Sequence, residues 1–584
     1  MAPKSRSSRR DRSAIFPDDW DRWCEHLARR TAPVAPLRLI PCRRTVPVEW
    51  ALPPDTSRDT RDRVHAIALW ARRAPASRAR AGALVEAWLG TADARCIDAG
   101  FAIECLAWAY AMPNLAAVLT ADAWRALLGR LTALPGQVDA NRLEAEPIAC
   151  QVLGGEVPWV LAYAFPELDT CRRLEGAARR QLARGVRELL DGDGLPAARH
   201  LDMLRSLLAC WTRCGFLARQ MPSGCFDRDA RLRYEWLVRR ALQLTRADGT
   251  EVFGNGVFDH QTAELLDAAL TLAGDSGDLA IAEQVLPGRT APAPADGSDV
   301  QFPEPAAHSE WGQVAVLRRN WMRDSEHLVI AYDDRRFRAE LNCGATTVWS
   351  GLWATRITID GRPVDVQGDW EEVCWYTDDD VDYLELEIPY SGGWRLQRQV
   401  LLARDDRFLF TADALLGARE AEIEYRNALP LCAGVRFAPE RQTREGWLIG
   451  RRRMGLVLPI ALPEWRAQES AGFLDAAGDG LRLMQRRRAR RMYAPLFIDL
   501  DPKRAARQRT WRQLTVAQRL EVQPSSVAVG YRVQVGDHQW LFYRSLAASA
   551  SRTVLGQNLS SEFFAGRFRR DGHTEQLIEV SVAE

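Results

Sequence analysis

The chain has 584 residues, 78 basic and 77 acidic, for a formal net charge of +1. That balance argues against nucleic acid or membrane as a bulk partner, and the length calls for more than one hydrophobic core. The hydrophobic fraction, 47%, is ordinary for a globular protein, and no run approaches the roughly 18 apolar residues that span a bilayer.

From the N-terminus, residues 1–55 read as a disordered, Pro-rich arm. The opening MAPKSRSSRRDRSAIFPDDWDRW is basic but has no apolar stretch after Arg9-Arg10, so it does not read as a secretory signal. Twelve cysteines are scattered without a disulfide framework, nine of them before residue 230. Free thiols of this kind suit a reducing compartment, and a cytoplasmic location is expected. Cys210 and Cys214 share a helical face, but no second Cys or His pair accompanies them, so they read as small core side chains and not as zinc ligands.

Residues 56–290 show helical periodicity. The spacing predicts helices over about 60–73, 77–89, 97–111, 121–134, 148–164, 171–190, 197–216, 229–245, 261–272 and 278–285, joined by short links with Pro and Gly breakers. Several segments, such as AGFAIECLAWAYAM, are apolar around most of the helix, which suits a second layer better than a surface bundle. About ten helices in antiparallel hairpins, without a strict repeat, predict an incomplete α/α toroid.

Residues 291–308 (APAPADGSDVQFPEPAAH) lack periodicity and read as a Pro-rich linker. From 309 to 584 the apolar residues alternate in short runs such as GQVAVLRR, HLVIAYDD, DYLELEIPY, RFLFTADALL and EIEYRNAL. Some sixteen such runs predict a large antiparallel β-sandwich with two sheets closing on one core. The predicted fold class is therefore α+β and multidomain, a helical toroid followed by a sandwich.

At the junction HSEWGQVAVLRRNW (His308–Trp321), and further on in HLVIAYDD and RQVLLARDDRFLFTADAL, the chain resembles the heparinase II/III-like polysaccharide lyases. The resemblance implies elimination from an acidic, uronic-acid polysaccharide. It also implies a His-X-His-X-Asp-like segment after the second strand that supplies catalytic and metal-binding groups. Here that region, RRFRAELNCGATTVWSG (Arg335–Gly351), has no histidine, and those roles do not carry over.

Elimination beside a carboxylate needs a base, a group that neutralises the carboxylate and an acid for the leaving oxygen. In the helical half the candidates are His200 or Tyr234 as base, His260 as alternate acid, and Arg205 with Asn255 on the carboxylate. Trp375 and Tyr376, in WEEVCWYTDDDVDY, are the candidates for a sugar-stacking wall on the sandwich side. The competing reading for each histidine is a capping or solvent-facing residue, and for the acids of that segment a solvated hairpin; those acids could otherwise hold a hard cation. No cofactor is expected, and a divalent metal has no ligand motif behind it. The runs Arg451–Arg453 and Arg486–Arg491 read either as a groove for sulfated or carboxylated sugar or as a charged sheet face balanced by acids. Besides a lyase, the pattern leaves open a non-catalytic glycan-binding scaffold and a glycoside hydrolase on a helical toroid.

Overall fold

The computed structural model describes residues 20–53, 55–289, 302–478, 480–569 and 573–581. The contacts divide the chain into two units. One comprises residues up to Leu242 with Asn255–Leu279, the other Gln243–Gly254 with the chain from Ala280 onward.

The first unit is helical. Ser57, Ser77, Asp98, Thr120 and Asp259 each cap a helix through a side-chain oxygen that accepts a backbone N–H in the first turn. The helix Ala99–Leu115 is buried on every side from Phe101 to Met112, as its all-round apolar sequence requires of an inner-layer helix. It continues through Pro113, where a break was expected. In the last turn the proline displaces only one backbone bond, and burial outweighs that loss. The expected helix over 148–164 is an α-turn (Pro147–Gln151), a π-helical turn (Val152–Glu156) and a second α-segment (Val157–Ala164). Pro158 brings no N–H to the carbonyl four residues back, and the widened turn sits at that gap. The helix Glu175–Leu189 crosses this region closely: a Cβ on Gly185 would lie 2.1 Å from the Gln151 side chain.

The expectation of a disordered arm fails for residues 20–53. Trp20–Arg29 is a helix, Trp23 is 1% exposed, and Trp20 and Trp23 pack on Trp124, which meets Phe165 edge-on. Val48 and Trp50 are likewise buried. Ten residues rich in charge carry too little periodicity to show a helix whose stability comes from a few tryptophans. Residues 1–19 of the arm lie outside the described residues.

The second unit is antiparallel. A five-stranded sheet runs β1 (Ala307–Ser309), β2 (Val314–Arg318), β3 (Glu326–Ala331), β4 (Arg338–Cys343) and β5 (Thr346–Leu352) in sequence order. The large sheet follows, with β6 (Ala354–Ile359), β7 (Arg362–Pro363), β8 (Glu371–Thr377), β9 (Val381–Tyr390), β10 (Trp394–Ala403) and β11 (Phe408–Pro430). It continues with β12 (Arg436–Pro439), β13 (Gly446–Ile449), β14 (Arg453–Leu458), β15 (Gly472–Ala477) and β16 (Gly480–Asp499). Its main path is β12-β13-β14-β16-β11-β10-β9-β8. Then come β17 (Arg509–Leu514), β18 (Ala517–Gln518), β19 (Glu521–Val522), β20 (Ala528–Val535) and β21 (His538–Ser545). The chain closes with β22 (Arg552–Val554), β23 (Gln557–Leu559), β24 (Phe563–Phe568) and β25 (Thr574–Val580). Of these, β17, β20, β21, β24 and β25 form a third sheet and the other four a small fourth one.

The expected two sheets become a stack. Leu328, Trp349, Leu386 and Ile498 belong to a core between the first and large sheets, while Tyr383, Phe410, Trp540 and Phe542 belong to one between the large and third sheets. A smaller cluster with Val516, Tyr543 and Val554 lies under the fourth. The large sheet is thus covered on both faces, and strands such as β9 and β10 are nearly continuous in burial. Fully burying one such Leu or Phe contributes on the order of 2 kcal/mol.

The expected linker over 291–308 falls largely on residues 290–301, outside the described residues, and β1 starts inside it, at Ala307. The boundary expected at 290 also shifts, because Gln243–Gly254 belongs to the β unit. The reason is Arg246, whose guanidinium forks onto buried Glu340 of β4 with two bonds of 2.6 Å.

Candidate functional site

The helical residues proposed for chemistry differ in burial and in partners. His200 sits in the 3-10 turn Ala198–Met203 and is 2% exposed. Tyr234 is buried, its hydroxyl shares a 2.8 Å bond with Thr212, and burial pushes the phenol pKa up. Its bonded neighbour is a hydroxyl and not a base, so deprotonation would leave an uncompensated anion in an apolar interior. His260 is exposed at the first position of the helix His260–Ala273, with Arg44 3.3 Å from its ring nitrogens. Tyr234 and His260 therefore have different partners. Asn255 is exposed, and Arg205 is half-buried in the first turn of the helix Leu204–Ala218.

The helical unit has a cleft of about 300 Å³ at the N-terminal ends of the helices Ala99–Leu115, Pro147–Gln151 and Leu204–Ala218. Helix N-termini favour anions. Here Asp55, Asp98, Glu146 and Asp202 already line the space. A polyanion entering it would meet four carboxylates, so the cleft is poorly suited to an acidic polysaccharide. Deeper in the unit, Glu156, Cys210 and Cys214 come within ligand distance of one another. Both Glu156 oxygens are held by Arg213, at 2.6 and 2.8 Å, and burial pushes both thiols up, so the cluster is an ion pair among neutral thiols and not a metal centre.

An acid–base constellation lies in the β unit, on His308 and Tyr332, to which sequence reasoning gave no role, and on Glu372, read there only as one of the acids that could hold a cation. His308 is the middle residue of β1. Its register partner is Ala315, whose partner on β3 is Ile330, so strand alternation puts His308 on the same face as Ile330 and, two residues on, Tyr332. His308 Nε2 lies 3.0 Å from the Tyr332 hydroxyl and Nδ1 lies 3.4 Å from Glu372 of β8. The indole of Trp375 stacks on the imidazole, with centroids 4.9 Å apart and planes inclined by 24°.

A bulge builds the β8 side. Glu372 pairs with Leu386 and Cys374 with Glu385, leaving Val373 as an extra residue. Three positions apart in a regular strand, Glu372 and Trp375 would face opposite ways; the added residue turns both to the imidazole.

Burial pushes the His308 pKa down from 6.5 to about 4. Burial, then Glu372 and Glu310, push the Tyr332 phenol up, while burial and Glu310 raise Glu372. At neutral pH the imidazole is therefore uncharged. The tautomer with its N–H at Nδ1, towards Glu372, leaves Nε2 free to accept the Tyr332 O–H. A carboxylate orienting an imidazole that can take a proton from a hydroxyl is a proton relay in the general sense of acid–base catalysis.

The other expected sandwich residue, Tyr376, alternates to the opposite face of the sheet from Trp375. Tyr376, on β8, is exposed and its hydroxyl donates to Asp378 at 2.7 Å. The acids of that segment are largely engaged: Asp380 with Arg567, and Asp382 with Arg404, Thr377 and the Arg318 N–H. Burial still pushes Asp382 up to about 6. On β4, where the resemblance would place metal-binding groups, the buried Glu340 accepts from Arg246, Phe253 N–H, Asn342 and Ser350. A guanidinium already fills the cation's role there, and the residues present do not fit a metal.

No protein-family model matches the sequence, and no curated protein matches it. Solved structures do. Heparan sulfate lyase HepC from Pedobacter heparinus superposes with a TM-score of 0.56 at 10% identity, over 90% of this chain and 94% of that one. A heparinase III structure gives 0.56 at 10% identity, over 90% and 95%. The fold is that of heparinase III. A third structure, the heparinase III BT4657 gene product, gives 0.53 at 11% identity over 76% of this chain and 73% of its own. The heparinase III fold thus accounts for both the helical and the antiparallel parts, in the order read from the sequence. At this identity it carries no residue roles, and the Glu372–His308–Tyr332 relay rests on this chain's own geometry.

Proposed function

We propose that this chain acts on an acidic, uronic-acid polysaccharide by β-elimination, with the relay at β1, the C-terminal end of β3 and β8 moving the proton. The observation that carries the reading is an uncharged imidazole held between a carboxylate and a tyrosine hydroxyl, on a fold shared with a heparan sulfate lyase over nine-tenths of the chain. In that role Tyr332 passes its proton to His308 Nε2 and takes the proton beside the uronate carboxylate. Glu372 holds the imidazole tautomer and offsets the charge that forms. Trp375, stacked on the imidazole, fixes the ring.

Elimination creates a C=C conjugated to a carboxylate, which absorbs in the ultraviolet. The wild-type protein should raise that absorbance with at least one polymer from a panel of uronic-acid polysaccharides, and Tyr332→Phe and His308→Ala should each lower the rate by about 10² or more. No rise with any polymer, with or without divalent cations, sinks the elimination reading.

A specific observation favours a second reading, glycan binding without turnover: Tyr332 is 1% exposed, so the hydroxyl that must meet substrate is almost closed off. Binding measured by calorimetry with no absorbance change selects it.

A further inference from the structure

The arginine run Arg486–Arg491 divides into two faces with different electrostatics. β16 pairs with β11 with a shift in register: Ala489 faces Ala421, Arg491 faces Leu416, and Arg490 has no opposite number. Before the shift the charges are balanced, Arg486 bonding to Glu424 at 2.8 Å and Arg488 to Glu420 at 3.1 Å. After it they are not. Arg491 is half-buried and its side chain, among the described residues, forms no ion pair or hydrogen bond; burial, then Arg490 and Arg395, make its positive charge harder to hold.

Arg491 opens into a cleft of about 510 Å³ whose walls include Arg395, Gln397, Gly417, Ser545 and Glu562. Arg395 of β10 faces Leu416, which faces Arg491, so the two guanidinium-bearing residues flank Leu416 in one row on one face of the sheet. Their backbones lie two strand spacings apart, about 10 Å. The row is held from beneath. Arg395 bonds Glu387 at 3.0 and 3.1 Å, Glu387 also accepts from Gln397 at 2.9 Å, and Gln397 accepts from buried Arg544 at 2.6 Å. Arg544 is clamped in turn on buried Glu385, at 2.6 and 3.1 Å. Glu387 balances Arg395, and Glu562 gives the opposite wall an acceptor for hydroxyls. Arg491 is the fork left to bind something, and what an unpaired, half-buried guanidinium fork binds is a planar or tetrahedral oxyanion.

We propose that this cleft is an anion subsite, separate from the His308 relay, that takes a sulfate ester or carboxylate of an acidic oligosaccharide on Arg491, with Arg395 on the far side of the same sugar. The identity of the sugar rests on the functional reading above; the anion chemistry of the cleft does not. Calorimetric binding of a heparan sulfate oligosaccharide and of an unsulfated uronic-acid oligosaccharide should be measured on the full chain and on Arg491→Gln, Arg395→Gln and the double variant Arg486→Gln/Arg488→Gln. Loss of one charge-assisted contact should weaken binding about tenfold in Arg491→Gln and less in Arg395→Gln, with a shallower dependence on salt. The variant on the balanced face should bind like wild type, and all four proteins should melt alike. Stronger loss with the sulfated ligand assigns a sulfate, and equal loss a carboxylate. Unchanged binding in Arg491→Gln, an equal loss in the balanced-face variant, or no binding of either oligosaccharide by wild type overturns the proposal. Absorbance from elimination is read in the same samples, so a silent absorbance trace with Arg491-dependent binding refutes the lyase reading and leaves the subsite standing.

Discussion

Two side-chain groups carry distinct consequences. Arg213 and Glu156 are both fully buried, bonded to each other twice, with Pro47 accepting from the guanidinium at 3.1 Å. Removing one partner strands a charge in the core, so Glu156→Gln should cost about 3–5 kcal/mol in urea unfolding. Glu156→Met/Arg213→Met should cost less than that single change, and a double variant weaker than both singles would show that the pair does not behave as a unit. His308 gives a pH signature. Its folded pKa, about 4, lies below the ordinary 6.5, so the folded state binds fewer protons. Its contribution is complete above pH 6.5 and is lost as pH falls towards 4, by roughly 3 kcal/mol over that window. Glu372, with a raised pKa, works in the opposite sense. The fall in unfolding free energy from pH 7 to pH 4 should therefore be smaller in His308→Gln than in wild type; equal falls would place the imidazole in solvent.

At the level of elements, the bulge at Val373 decides whether β8 can serve the site. Deleting Val373 should restore regular alternation, turn Trp375 or Glu372 away from His308, and abolish activity or binding while costing about 1–2 kcal/mol of stability. Retained function in that deletion would mean that the relay is not the site. This is also where sequence reading stopped. The change from helical to alternating periodicity was legible, because burial on one face leaves a pattern that no single residue can hide. Bulges are not: Gly417–Glu420 reads as a turn between RFLFTADALL and EIEYRNAL, yet β11 runs through it as one strand of 23 residues. His308 and Glu372 lie on two strands and Tyr332 just past the end of a third, and only register brings them together. Trp375 drew notice as an aromatic among acids, whereas the burial of His200 and Tyr234 is set by packing that spacing alone does not display.

For the molecule as a whole, thiol chemistry gives a simple check. All twelve cysteines are free, Cys96 is exposed, and burial pushes up the pKa of Cys105, Cys150, Cys171 and Cys225. Iodoacetamide at pH 8, followed by peptide mass spectrometry, should label Cys96 first, and urea should open all twelve without any reductant. Comparable native rates at Cys105 and Cys96 would contradict the packing of the helix Ala99–Leu115. The longest pairing in the β unit has a consequence for how the chain is made. β11 and β16 are separated by fifty residues at their near end, Pro430 to Gly480, and by ninety-one at the far end, Phe408 to Asp499. As the ribosome releases the chain from its N-terminus, β11 leaves the tunnel with one edge open until β16 follows. At about 5–20 residues per second that edge stays unsatisfied for several seconds. During that interval it is the segment most open to a stray strand or a chaperone, and slower translation between Pro430 and Gly480 should lower soluble yield more than slowing elsewhere.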